Sequence, residues 1–142
     1  MKKEMNNKGF SLVELIIVIA IMAILVVVLA PQYLKYVERS RNSTDRDNAT
    51  AIESALQVWG AETEMPAGTV AYTTDATGTT LTVTQNNNIA FSGTNAAAAE
   101  DALDNAGIPL ATHCVSQTAW TQYIITITVD ADGVVSVTND IP

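Results

Sequence analysis

Basic residues are absent from most of this 142-residue chain. Arg46 is the last Lys or Arg, and the stretch from Asp47 to Pro142 contains eleven Asp or Glu residues and neither basic type. Sequence-independent binding of nucleic acid depends on Lys and Arg side chains that neutralise phosphates. Direct nucleic acid binding by this C-terminal part is therefore not expected, and it has no lysine for an isopeptide bond to asparagine.

Cysteine and histidine each occur once, as the neighbours His113 and Cys114. A single cysteine excludes an intramolecular disulfide, although a domain displayed outside the membrane could otherwise form one. One histidine and one cysteine cannot complete a zinc site, so Cys114 is interpreted as a small buried residue in a strand. No metal or cofactor is expected. No nucleophile motif or Gly-rich phosphate loop occurs, so no catalytic residues are predicted and the chain is not expected to be an enzyme.

What the sequence does contain is an uncharged run from Leu15 to Leu34 that is long enough to cross a membrane. Twenty residues form a helix of about 30 Å, the thickness of a bilayer's hydrocarbon core. One carboxylate, Glu14, lies in the apolar block that begins at Phe10. An ionisable side chain in such a segment costs about 2.5 to 3.5 kcal/mol at the helix centre and less near its end. Glu14 therefore indicates a functional position that has a partner.

The sequence Gly9-Phe10-Ser11-Leu12-Val13-Glu14, followed by an apolar helix, resembles the processing site of type IV pilins and pseudopilins. The resemblance implies that a prepilin peptidase cuts between Gly9 and Phe10, and that the new amine of Phe10 is methylated. It also implies that Glu14 of an incoming subunit pairs with the Phe10 amine of a subunit already in a fibre. Phe10 and Glu14 are thus the expected assembly residues.

The same resemblance implies where the chain resides and what it contacts. The precursor would span the cytoplasmic membrane once with its leader in the cytoplasm, and the assembled form would be an extracellular pilus fibre. The implied partners are copies of the chain in a homopolymer, the prepilin peptidase and methyltransferase, an assembly platform with its ATPase, and membrane lipid before assembly. The positive-inside rule does not decide the orientation, because Lys and Arg flank the span on both sides.

The sequence predicts an α+β fold in which the C-terminal half of a long helix packs on a small antiparallel β-sheet. Ala49, Ile52, Leu56 and Trp59 recur at helical spacing, so they are expected to form one buried face against that sheet. A single helix of about fifty residues is predicted from Phe10 to Trp59.

Pro31 lies within this helix and removes one backbone donor, so a kink is predicted there. On this basis the chain has four segments. They are a leader, residues 1–9; a hydrophobic transmembrane and assembly helix, residues 10–34; its amphipathic second half, residues 35–60; and a β-rich globular head, residues 61–142.

Turn signals divide the head into strands and one short helix. Asp75–Gly78 is predicted as a hairpin turn, and Asp130-Ala131-Asp132-Gly133 as a turn rather than a calcium loop, which would need six to eight oxygens. The predicted elements are strands at Thr69–Thr74, Thr79–Gln85, Tyr123–Asp130 and Val134–Thr138, and a helix at Asn95–Ala106 capped by Thr94 or Asn95.

Charged residues along the second half of the long helix suggest two kinds of contact. Helical spacing predicts pairs of Glu38 with Arg41 and of Arg41 with Asp45. The basic residues of this region are also predicted to contact acidic heads of neighbouring subunits; they are Lys35, Arg39, Arg41 and Arg46.

Three functions remain open at this point. The first is a structural pilin of a type IV pilus that serves adhesion, motility or biofilm formation. The second is a pseudopilin of a type II secretion or competence DNA-uptake machine, and the third is a monomeric single-pass membrane protein with an extracellular binding domain. A signal peptide cut after Ala30 is disfavoured, because the apolar run is too long and Pro31 would follow the cut.

Overall fold

In the computed structural model, residues 9–62, 67 and 70–142 are described. The predicted leader up to residue 8 and the first residue of the predicted strand Thr69–Thr74 lie outside the described residues. The chain divides into two units, and the boundary between them lies between Val37 and Glu38.

Helix α1, Leu12–Ala61, is continuous over 50 residues and confirms the predicted long helix. Within the first unit, residues 9–36 are all exposed. The most apolar 18-residue window of α1 has a mean hydropathy of 3.4, so length and composition allow this helix to cross a membrane. Pro31 lies inside α1, and the kink there stays a prediction.

The second unit combines the rest of α1 with a sheet and a short helix. The bounds are β1, Asp75–Thr84; β2, Ala90–Ser92; α2, Ala96–Asn105; β3, Gln122–Val129; and β4, Val135–Asn139. The four strands pair antiparallel in the order β2-β1-β3-β4. This arrangement confirms the predicted α+β fold, a long helix packed on a small antiparallel sheet.

The predicted apolar face of α1 is buried against this sheet. Ile52 and Leu56 have no exposed area and share one core with Ile125 and Ile127 of β3. Burial alternates along β3, as expected for a strand with one face in the core. Because a fully buried Leu or Ile side chain contributes about 1.5 to 3 kcal/mol, this face stabilises the packing of the C-terminal part of α1 on the sheet.

The predicted hairpin turn at Asp75–Gly78 is wrong. Residues 70–74 form no strand, and the supposed turn lies inside β1. Asp75 and Thr79 are four residues apart, but their partners on β3 are two apart, so β1 contains a bulge. The residues do have turn chemistry: the Asp75 carboxylate accepts a hydrogen bond from the Gly78 amide, and Gly78 has a φ of +91°.

Other element boundaries are confirmed within a residue or so. The two closing strands and the short helix appear as β3, β4 and α2, and Asp130 accepts hydrogen bonds from the amides of Asp132 and Val134 in the predicted turn. Asn95 occupies the N-cap position of α2 but makes no side-chain cap bond. Its amide group instead bonds the backbone of Thr73, which ties the segment before β1 to the start of α2.

Candidate functional site

The predicted processing site precedes α1 and is open to the surroundings. Phe10 is 91% exposed, and Gly9 is exposed as well. A Cβ atom built on Gly9 would meet no atom within 4 Å, so packing within the described residues does not require glycine there. A requirement for glycine at this position would therefore come from a protein that binds the site. Cleavage between Gly9 and Phe10 and methylation of Phe10 stay predictions.

Glu14 lies in the first turn of α1 and has a partner in its own chain. Its Oε2 accepts a hydrogen bond from the Ser11 amide at 2.8 Å. Ser11 immediately precedes the helix, and Ser followed three residues later by Glu is the capping-box pattern, in which the carboxylate satisfies an otherwise unpaired amide. Glu14 therefore stabilises the start of α1, where the helix dipole also favours negative charge. This capping role was not predicted from the sequence, although Ser-x-x-Glu ahead of an apolar run indicates it.

Helix capping and subunit pairing are compatible roles for Glu14. A cut between Gly9 and Phe10 would leave Ser11 in the mature chain, so the capping bond would be retained. An ionised carboxylate has about four lone-pair positions on its two oxygens. Glu14 can therefore hold the Ser11 amide and still accept from a cationic amine. Its role in assembly remains a prediction.

In the second unit, two carboxylates of α1 hold the loop that precedes β3. Glu38 and Asp45 are seven residues apart, so they lie on the same side of the helix. The loop of residues 114–120 approaches both of them. We call these two carboxylates and residues 114–120 the loop clasp.

Asp45 is the buried half of the loop clasp and has no exposed area. Its carboxylate accepts hydrogen bonds from the amides of Val115 and Ser116 at 2.8 and 2.9 Å. The indole N–H of Trp120 donates to it at 2.9 Å. A buried carboxylate requires such donors because it has lost its water, so Asp45 and the loop depend on each other.

Glu38 binds the other part of the loop. Its Oε1 accepts from the Ser116 hydroxyl and from the amides of Gln117 and Thr118, each at 2.8 Å. The Thr118 amide and then the Ser116 hydroxyl lower the pKa of Glu38 from 4.5 to about 2. The predicted pair with Arg41 is confirmed, since the guanidinium lies 3.5 Å from Glu38 Oε2.

The predicted pair of Arg41 with Asp45 is wrong, because the Asp45 carboxylate is buried and occupied by the loop. The sequence contained a sign of this. Asp45 precedes Ala49 by four residues and Ile52 by seven, which places it on the buried face of α1 rather than on the exposed side.

Cys114 is buried as predicted but lies in the loop clasp rather than in a strand. Its thiol donates to Asp45 Oδ2 at 3.3 Å. Burial, and next the bond to Asp45, raises the pKa of the thiol to about 11, so it stays protonated and is a donor rather than a nucleophile. The adjacent His113 is exposed. Within residues 9–62, 67 and 70–142, no three His, Cys, Asp or Glu side chains are grouped so that they could hold a metal ion.

The loop clasp is expected to make the second unit sensitive to acid. Because the folded pKa of Glu38 is lowered, its contribution to stability is present above pH 4.5 and is lost as the pH falls toward about 2. We expect the thermal midpoint of the full chain in detergent to fall more steeply over this interval than that of a Glu38→Gln variant. The pKa of Asp75 is also lowered, chiefly by the hydrogen bond from the Thr77 hydroxyl. Because Asp75 is present in both chains, it affects both slopes equally and does not contribute to their difference. Equal slopes by circular dichroism at constant ionic strength would contradict the assignment.

Comparisons with known proteins support the resemblance seen in the sequence. Residues 5–30 match a family model described as the prokaryotic N-terminal methylation motif. Prepilin peptidase-dependent protein A of Clostridium perfringens is 37% identical over 60 residues, which are 42% of this chain and 43% of that protein. Type IV major pilin protein PilA of Myxococcus xanthus is 37% identical over 57 residues, covering 40% of this chain and 26% of PilA.

Type IV major fimbrial protein FimA of Dichelobacter nodosus is 45% identical over 54 residues, covering 35% of each chain. The chain thus spans less than half the length of the curated relatives it matches. No solved structure matches it. The matches confirm that the chain is similar to type IV pilins and carries their N-terminal methylation motif.

Proposed function

We propose that this chain is the precursor of a structural subunit of a type IV pilus, which polymerises through its N-terminal helix. One observation carries the proposal: the chain matches the methylation motif over residues 5–30, and the uncharged run from Leu15 to Leu34, which overlaps that motif, is exposed throughout. An exposed apolar surface of this extent marks an interaction site. Lipid would cover it before assembly, and like helices would cover it in the fibre.

The N-terminal charges supply the selectivity of this polymerisation. Lipid and a bundle of apolar helices are similarly apolar, so close packing and polar pairs have to distinguish the fibre from the membrane. Removal of the leader by a prepilin peptidase exposes a cationic amine at Phe10, and methylation leaves that amine cationic. A charge buried in the fibre core is costly unless an opposite charge pairs with it, and Glu14 is the carboxylate nearest in sequence.

The proposed role is structural rather than catalytic. The precursor would reside in the cytoplasmic membrane with its leader in the cytoplasm, and the subunit would end in an extracellular fibre used for adhesion, motility or biofilm formation. The relatives include proteins named as a type IV major pilin and as type IV major fimbrial proteins, and these names support this assignment.

Mass spectrometry of the mature N-terminus, combined with imaging of sheared cell-surface material, tests the proposal. We expect an N-methylated Phe10 and fibres that bind an antibody to the head. A methylated Phe10 without surface fibres would favour a pseudopilin of a secretion or DNA-uptake machine. An intact Met1, or a terminus created by a cut after Ala30, would contradict both and favour a membrane anchor or a cleaved signal peptide.

A further inference from the structure

A groove whose lining includes four alanine side chains lies on the second unit, between α1 and α2. Its volume is about 460 Å³. Ala51 and Ala55 of α1 form part of one wall, and Ala102 of α2 forms part of the other. Val58 also lines the groove and is 61% exposed, although it is apolar. Alanine walls leave room for side chains of another helix to enter, as in helix-in-groove recognition.

The groove also has a charge at its margin. Glu62, which is exposed, belongs to its lining. No Lys or Arg follows Arg46, so all Lys and Arg side chains that the structure describes belong to residues 35–46. Within the described part of the chain the one ion pair joins Glu38 and Arg41, and Glu62 has no cationic partner.

The first unit carries a surface of the complementary kind. Tyr33 and Tyr36 are 68% and 65% exposed, and their spacing of three places them on one side of the helix. Lys35 precedes Tyr36 by one residue and therefore projects from the helix about 100° to the side of it, toward the margin rather than the floor of a groove that the rings enter. Lys35 is exposed and forms no ion pair with any described residue. Tyrosine combines a large apolar ring with a polar hydroxyl, which is why it is enriched among the residues that dominate binding at interfaces.

We propose that Tyr33 and Tyr36 of a second copy of this chain dock in the groove between α1 and α2, with Lys35 of that copy beside Glu62. The inference rests on the proposed function, because the neighbours of a subunit in a homopolymer are copies of itself. The rings supply apolar area for the alanine walls, and the lysine supplies the positive charge that the groove region lacks. The head would thereby fix the position of a neighbouring stalk.

Disulfide trapping in assembled fibres tests this contact. Cells would produce the chain with Ala51→Cys in the groove and Gln32→Cys on the stalk, in a Cys114→Ser background, and sheared fibres would be oxidised mildly. Gln32 is exposed and precedes Tyr36 by four residues, so it lies on the same side of the helix and both tyrosines are retained. We expect a ladder of cross-linked multimers that disappears on reduction. Asp132→Cys, at an exposed turn outside the groove, replaces Ala51→Cys in the matched control and should give no ladder.

The outcomes separate this inference from the function on which it rests. Fibres that form normally but give no ladder with the groove pair, or an equal ladder with the control pair, overturn the docking contact and leave the pilin function standing. No fibres from the unmodified chain overturn both. A variant that carries only the groove cysteine provides one more outcome. If it becomes cross-linked to a protein of different mass, that protein occupies the groove and the proposal is contradicted.

Charge exchange gives a second readout. Lys35→Glu and Glu62→Lys should each reduce fibre yield at low salt about two- to fivefold, as expected for a partly exposed ion pair. The double variant should recover most of the yield, because the pair is restored with its signs reversed. Additive losses in the double variant would contradict the contact between these two side chains.

Discussion

Replacing Glu14 with leucine is expected to abolish fibres while the precursor remains in the membrane. The substitution removes two contributions at once: the carboxylate that accepts the Ser11 amide and the negative charge proposed to pair with the Phe10 amine. Loss of one member of a buried ion pair costs about 3 to 5 kcal/mol, because the other charge is left buried alone. Association of subunits would then weaken by a factor of roughly 10² to a few times 10³.

Glu14→Gln separates the two contributions. A glutamine in a capping box can still accept from the Ser11 amide, so the start of α1 should remain capped, but the charge is absent. If pairing is the main role, Glu14→Gln fails to assemble almost as completely as Glu14→Leu. Membrane fractions and sheared surface fractions compared by immunoblot measure this. Normal fibre yield from Glu14→Gln would refute charge pairing and leave capping as the role of the residue.

Asp45→Ala is expected to have the largest effect on the stability of the second unit, which includes residues 38–142. The substitution leaves the amides of Val115 and Ser116 and the indole of Trp120 without their acceptor. An unsatisfied buried donor costs about 1 to 3 kcal/mol, so a loss of about 3 kcal/mol or more is expected even if water reaches some of them. For a domain of this size, that lowers the thermal midpoint by about 12 °C or more.

Asp47→Ala is the matched control, because this carboxylate lies two residues further along α1 and is exposed. An exposed substitution of this kind normally changes stability by no more than about 0.5 kcal/mol. Thermal unfolding of the full chain in detergent, followed by near-ultraviolet circular dichroism, measures both variants. Similar midpoints for the two would show that Asp45 and the loop do not depend on each other.

Local patterns of the sequence were sufficient for the parts of the fold that depend on neighbours along the chain. The uncharged run from Leu15 to Leu34 and the helical spacing of four later apolar residues predicted α1 and its buried face, and both are confirmed. Those four residues are Ala49, Ile52, Leu56 and Trp59. The closing strands were predicted for the same reason, since their composition and the turn between them are local features.

Features that depend on distant partners were missed or misassigned. The residues at 75–78 have the composition of a turn, and only their pairing with β3 shows that the strand continues past them as a bulge. Strand β2 has three residues and exists because it pairs with β1. Asp45 was assigned to Arg41, four residues before it, but its hydrogen-bond partners lie about seventy residues later in the chain.

For the candidate functional site, the sequence by itself determined the methylation motif, which contains the predicted cleavage site at Gly9 and Phe10, the acidic position of Glu14 and the apolar helix behind them. Residue type and order carry that information, because the predicted cleavage and the predicted membrane span both depend on a linear segment of the chain. Only the tertiary structure decided that Glu14 also caps its own helix, that Glu38 and Asp45 hold the loop before β3, and that a groove opens between α1 and α2. Each of these depends on the position of atoms in space, which the order of residues alone does not specify.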